Sequence, residues 1–409
     1  MDHLLVRLNN GMHLLYKQVA GTEIAHAGFV VNAGSRDERE NEWGLAHFLE
    51  HMLFKGTTKR KAFHVLSRLD AVGGDLNAYT SRERTSVHAS FRQVHFARAF
   101  ELLADIFMNP SFPQKELERE KQVVLEEIRM YQDEHDESIL DDFESLVYRD
   151  KPLGRPILGS EATVRKITRQ NLLDFQNRNY GAENTVFAYV GPMPWNAFER
   201  KVRPVLEAYA NLQPPVQRLG DFHYQPFYKE FDKPASTAYV VMGNQAYPAN
   251  DTKRLGLLML NNMLGGDNMN SRLNMSVRER NGLVYGIESN YTPYSDTGLF
   301  FIYFSAEAGK QKRVRRLVEI ELAKFRQKRL GNMQLHMAKQ QFISRMLMSE
   351  ESRSNLMLAL AHSFFDHGKI DRLDEVVKKV EALDGSDLLD IANEIFDPQQ
   401  LSTIIYNPK

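Results

Sequence analysis

A chain of 409 residues carrying 52 basic and 53 acidic side chains is too long for one ordinary core and suits two domains of about 200 residues. Its net charge of −1 calls for neither a nucleic-acid partner nor a membrane surface. Cysteine is absent, which excludes disulfides and thiolate ligands and leaves His, Asp and Glu to hold any metal.

The opening run, MDHLLVRLNNGMHLLYK, has neither the basic region nor the long apolar region of a signal peptide. Asn9-Asn10-Gly11 between two alternating runs predicts a β-hairpin turn. No apolar run approaches the roughly 18 residues of a transmembrane helix, and a cytoplasmic location is the expectation. An alternating strand, IAHAGFVVNAGS, leads into LAHFLEHMLFKGT at 45–57. There Leu45, Phe48, Leu49, Met52 and Leu53 follow the spacing of a helix stripe facing a core. His47, Glu50, His51 and Phe54 form a second stripe of the same period. Two imidazoles four residues apart share a helix face and can share one ion, with Glu50 beside them. Taken alone, H-x-x-E-H also describes a solvent-facing polar stripe. A catalytic zinc site needs a third protein ligand and an open position for water.

GGDLNAYTSRERTSVHASF, 73–91, predicts two strands around a polar turn. The helix QKELEREKQVVLEEIRMYQDEHDE, 114–137, is the strongest source of a third ligand. Glu120 and Glu127 lie two turns apart on one face, with Val123, Val124 and Ile128 on or beside it. A buried carboxylate without a partner is costly, and a metal removes that cost. Glu126 points roughly 100° away from Glu127, which spacing alone does not exclude, and an acidic solvated helix is the plain alternative. The strand NTVFAYVG and a helix from Trp195 to Tyr209 close the first half.

The run NLQPPVQRLGDF contains Pro214 and Pro215, which forbid helix continuation. It predicts a linker at 213–222 between domains at 1–212 and 223–409. The second half repeats the order: a strand (STAYVVMG), a helix closed by glycine (TKRLGLLMLNNMLGG), two strands (283–307), helices to about Ile395 and a closing strand, LSTIIY. Adjacent strands with helices segregated between them predict an α+β fold of two similar domains, each a largely antiparallel sheet packed with helices. Superposing the halves puts Asn261 and Asn262 where Glu50 and His51 stand, and Arg345 opposite Glu127. Only the first half then carries the candidate metal residues. LGGDN, 264–268, lacks the Gly-Lys-Ser/Thr ending of a phosphate loop. His13, His26, His64, His88, His95 and His135 are expected at surfaces or in strands.

HFLEHMLFKGT resembles the zinc motif of the inverzincins, the H-x-x-E-H peptidases, and in detail that of the pitrilysin, or insulinase-type, family. The glutamate that this family places 76 positions after the second histidine corresponds to Glu127, and the one seven positions earlier to Glu120. NAGSRDE (32–38), PLGRPILG (152–159) and SRLNMSVRERNGLVYG (271–286) match further family segments in order, although Asn274 stands where phenylalanine is common.

The resemblance implies one Zn²⁺ per chain held by His47, His51 and Glu127. It implies Glu50 as the group that takes a proton from water and passes it to the leaving amine, and Glu120 as a residue orienting a ligand. Asn77, Ala78 and Tyr79 would pair with an extended peptide as an added strand. Arg278 and Tyr285 would hold substrate carbonyls; without the resemblance they are a helix end and a strand start. The implied activity is endopeptidase action on short or unfolded peptides. Because the chain is one two-domain unit with both the zinc motif and the Arg/Tyr segment, a homodimer is the expected assembly. The rivals are the zinc-bearing subunit of a heterodimeric processing peptidase and a non-catalytic core-subunit-like homologue, against which the retention of the zinc residues speaks.

Overall fold

In the computed structural model, residues 3–218, 220 and 222–409 are described. The first compact unit comprises Met1–Met130, Arg155–Gln217 and Ser349–Ile370. Its strands are β1 (Leu4–Arg7), β2 (His13–Gln18), β3 (Ile24–Val31), β4 (Asp75–Thr80), β5 (Thr85–Arg92) and β6 (Thr185–Gly191). They form one sheet in the order β1-β2-β6-β3-β5-β4. The predicted hairpin is present, with Arg7 opposite His13 and Gly11 at φ +91° in its turn. All pairings are antiparallel except β2 with β6.

The first half of the chain also contains the helices α1 (Leu45–Leu53), α2 (Ala62–Asp70), α3 (Phe96–Met108), α4 (Gln114–Asp133) and α5 (His135–Val147). One face of the first sheet packs on α1, α2 and α3, with Phe29, Phe48, Phe107 and Phe187 in the core; Phe29 and Phe107 stack at 4.2 Å. Every residue of β6, TVFAYVG, is buried, so the opposite face needs a cover too. The helix Arg353–His367 supplies it: Met357 and Ala361 pack on Leu15, Val30, Val186, Ala188 and Val190.

The second unit comprises Tyr131–Gly154, Arg218–Met348 and Asp371–Lys409. Its strands β7 (Tyr228–Lys233), β8 (Thr237–Ala246), β9 (Val284–Pro293), β10 (Gly298–Glu307) and β11 (Ser402–Pro408) run in the order β7-β11-β8-β10-β9. Only β7 with β11 is parallel. The order matches β2-β6-β3-β5-β4, and the helix Arg254–Gly265 follows β8 as α1 follows β3. Here α5 covers one face, with Ile139 and Phe143 against Val241, Ile404 and Tyr406. Each unit therefore consists mainly of one half of the sequence plus a helical segment from the other half. The boundaries 1–212 and 223–409 leave out this recruitment. A doubly apolar strand announces that it needs two covers, not which helices provide them. Among the described residues no helix is long and apolar enough to cross a membrane.

Candidate metal centre

The site begins with the entry to α1. Gly44 precedes the helix at φ +87°, a left-handed conformation that suits glycine. A Cβ there would also meet the Leu158 carbonyl oxygen at 2.5 Å. The buried carboxylate of Glu38 accepts hydrogen bonds from the Gly44 N–H (3.0 Å) and the Ala46 N–H (2.7 Å). It thereby satisfies orphan donors at the positive end of the helix dipole. The Leu45, Phe48, Leu49, Met52 and Leu53 stripe is fully buried, which fixes the rotation of α1 and turns His47, Glu50 and His51 to a common side.

α4 lies alongside. Val124, Leu125 and Ile128 are buried on its inner face, whereas Val123, expected beside that face, is half exposed. One step of about 100° along the helix is enough to move a side chain from core to solvent. The same rotation separates the two adjacent glutamates. Glu126 points outward and pairs with Arg129 at 2.6 Å. Glu127 points inward: its Oε1 lies 3.6 Å from His47 Nε2, and its Oε2 lies 3.6 Å from His51 Nε2.

These separations are too long for hydrogen bonds. They suit ligands sharing one ion, because donors about 2.1 Å from a tetrahedral zinc stand roughly 3.4 Å apart. One donor atom each from His47, His51 and Glu127 all lie within 4.8 Å of one another. Three nitrogen and oxygen donors, two of them on one helical turn, fit a zinc ion with a position left open for water.

The surrounding groups set the protonation. Burial, reinforced by the neighbouring His51 and opposed by Glu120, holds the His47 imidazole down at about 3, so it is neutral with a free lone pair. Burial lowers His51, but its hydrogen bond to Glu120 and the charges of Glu127 and Glu50 outweigh that and raise it above 6.5. His51 Nδ1 lies 2.8 Å from Glu120 Oε1, and Lys55 Nζ 2.6 Å from Glu120 Oε2. Burial tends to raise the Glu120 carboxyl, yet His51 and Lys55 together hold it below 4.5. A carboxylate in that place keeps the His51 proton on Nδ1 and leaves Nε2 facing Glu127. Burial pushes the Glu50 carboxyl above 4.5, aided by Glu127 and opposed by Thr80 and His51.

Against α1 packs β4, which among the described residues bonds only to β5 and so forms the edge of its sheet. Asn77 is exposed and donates to Asp75 at 2.6 Å. Ala78 packs against the core, and the Tyr79 hydroxyl lies 2.7 Å from His362 Nε2. In the second unit Arg278 sits on a wide helical turn, Asn274–Glu279, and its guanidinium lies 5.8 Å from the centre of the exposed Tyr285 ring. Both line a cavity of about 560 Å³ with Asn274 and Glu288.

Residues 14–161 match the family model described as insulinase (peptidase family M16), and residues 166–342 match the model of the peptidase M16 inactive domain. An uncharacterized zinc protease of Rickettsia felis is 30% identical over 98% of this chain and 96% of its own length. The chain belongs to the M16 peptidase family. The M16 relatives include the uncharacterized zinc protease YmxG of Bacillus subtilis, 29% identical over 95% of this chain and 94% of its own. The same two-unit fold occurs in a peptidase M16 inactive domain structure from Pseudomonas fluorescens (TM-score 0.92, 19% identity, 100% and 98% of the two chains). It also occurs in a Helicobacter pylori protease (TM-score 0.92, 21% identity, 100% and 99%).

In this M16 chain the second half offers no equivalent donors at the superposed positions. Asn261 and Asn262 lie on the helix after β8, and Arg345 stands 3.9 Å from Asp267. Sequence reasoning missed Glu38, Lys55 and Thr80. Lys55 is the one with a signal, four residues after His51 and hence on its face of the helix; Glu38 and Thr80 reach the site through tertiary packing.

Proposed function

We propose that the chain is a zinc-dependent endopeptidase of short or unfolded peptides. The observation that carries this is the convergence of His47, His51 and Glu127 donors with Glu50 beside them and an open sheet edge packed on the same helix. His47, His51 and Glu127 would hold the ion. Zinc, when bound there, supplies a positive charge that acidifies water and polarises a carbonyl.

The chain's own residues do the rest. Glu50 accepts a proton from the attacking water and delivers it to the leaving amine; in the metal-free chain burial raises its proton affinity. Glu120 and Lys55 keep His51 in the tautomer that presents Nε2. The unpaired edge of β4 at Asn77, Ala78 and Tyr79 offers backbone donors and acceptors to an extended peptide, so binding reads main chain more than side chains. Arg278, a guanidinium stacked near an exposed tyrosine, is suited to substrate carbonyls. A homodimer is the assembly we propose, since one chain carries both sets of groups.

The test is a quenched-fluorescence peptide assay on the purified chain alone. Cleavage that is abolished by a chelator and restored by zinc is expected. Cleavage only after adding a second, different subunit would instead make this chain half of a heterodimeric peptidase.

A further inference from the structure

The second unit contains a cavity of about 540 Å³ that the proposed peptide chemistry does not use. Its charged lining is Arg272, Arg280, Lys324, Lys328 and Arg329 against one carboxylate, Glu321. Five cations and one anion leave a local excess of +4 in a chain whose total is −1, so composition does not explain it. Lys324 and Glu321 satisfy each other at 2.7 Å, and Arg329 lies 3.7 Å from Asp384. Among the described residues, no ion pair or side-chain hydrogen bond is made by Arg272, Arg280 or Lys328.

Arg272 is the most informative of the three. Its guanidinium lies 3.8 Å from the centre of the buried Phe325 ring, a cation–π contact that restrains the side chain. It is partly buried and feels the charge of Glu321, yet none of its N–H donors has a protein acceptor. Its open donors face the cavity, where the oxygens of a ligand can accept from them. The cavity is separate from the one at Arg278 and Tyr285. Arg272, Ser276 and Arg280 line the first, whereas Ser271, Asn274 and Arg278 line the second, so one helical segment divides them.

We propose that this cavity binds a small oxyanion-bearing ligand, a phosphate or carboxylate dianion, with Arg272 as a bidentate anchor and Arg280 and Lys328 completing the charge. The planar guanidinium fork matches both oxyanions. The volume is that of a small-molecule site, about 300–1,000 Å³, and the open cations surround one hollow instead of forming the stripe a polyanion would follow.

Calorimetric titration of the full zinc-loaded chain with inorganic phosphate, and separately with succinate, in about 0.15 M salt tests this. Saturable binding of at least one dianion at a single site is expected; the tighter of the two identifies the source of the oxyanion. Arg272→Gln should weaken it about tenfold or more, and the exposed pair Arg280→Ala/Lys328→Ala about threefold or more, with thermal unfolding of the pair unchanged. His47→Gln should bind the dianion as the parent does, which separates this site from the metal centre. If Arg272→Gln fails to fold, the double variant decides. Absence of saturable binding by both dianions, binding unaffected in the variants, or binding lost in His47→Gln would overturn the proposal.

Discussion

Glu120→Ala tests how the proposed metal centre is held while its three candidate ligands stay unsubstituted. The carboxylate is 5% exposed, with one oxygen 2.8 Å from His51 Nδ1 and the other 2.6 Å from Lys55 Nζ. Partners of this kind are worth about 10- to 100-fold in metal affinity, or about 1.4–2.8 kcal/mol at 1.4 kcal/mol per decade. Alanine should fall at the upper end. It frees the His51 ring to change tautomer and leaves the Lys55 ammonium without its acceptor. Glu120→Gln keeps an amide oxygen for the His51 N–H but removes the charge, and should fall near the lower end, about tenfold. Competition against a calibrated zinc chelator at fixed pH reads both, with circular dichroism confirming the fold. Unchanged zinc affinity in Glu120→Ala, or a larger loss for glutamine than for alanine, would refute the reasoning.

Four further outcomes are expected. Glu127→Gln should lose zinc affinity about 100-fold or more, whereas Glu126→Gln, altered only in its outward pair with Arg129, should match the parent; the same chelator competition separates them. In the metal-free chain His51 titrates above 6.5 while His47 stays neutral down to about 3. Zinc affinity should therefore fall with a slope of about one decade per pH unit below the His51 value, not two. A raised His51 also means that its share of metal-free stability is present below 6.5 and lost as pH rises through the folded value, which urea unfolding against pH would show. Gly44→Ala should cost about 2–3 kcal/mol, from about 1–2 for the left-handed backbone plus the collision with Leu158. Gly73→Ala, at φ +70° with nothing within 4 Å, should cost only the backbone part, about 1–2 kcal/mol; equal losses would remove the steric claim.

Much of the site was legible because two helix periodicities coincide in one segment. The same spacing that buries Phe48, Leu49 and Met52 turns His47, Glu50 and His51 to a shared side. The choice between Glu126 and Glu127 was not legible from spacing, since neighbouring positions differ only in rotation; with Val124 and Ile128 in the core and Arg129 outside, Glu127 is the one that faces His47 and His51. Val123 shows the limit of the same reasoning, being one step off the buried face. The duplicated strand order was readable from pattern. The covers supplied by α5 and by Arg353–His367 were not, because an apolar face does not name its partner. Glu38 and Thr80 likewise act across distances in sequence that no local pattern spans.

The central claim is that Glu50 moves protons beside a metal that other residues hold. The most direct measurement compares bound zinc and cleavage of a quenched unfolded peptide for the parent chain and Glu50→Gln. The expected result is nearly equal zinc in both, with cleavage lower in Glu50→Gln by about a hundredfold to ten-thousandfold, the range for a removed general base. Equal cleavage by the two proteins, or a correctly folded parent that binds no zinc, would contradict it.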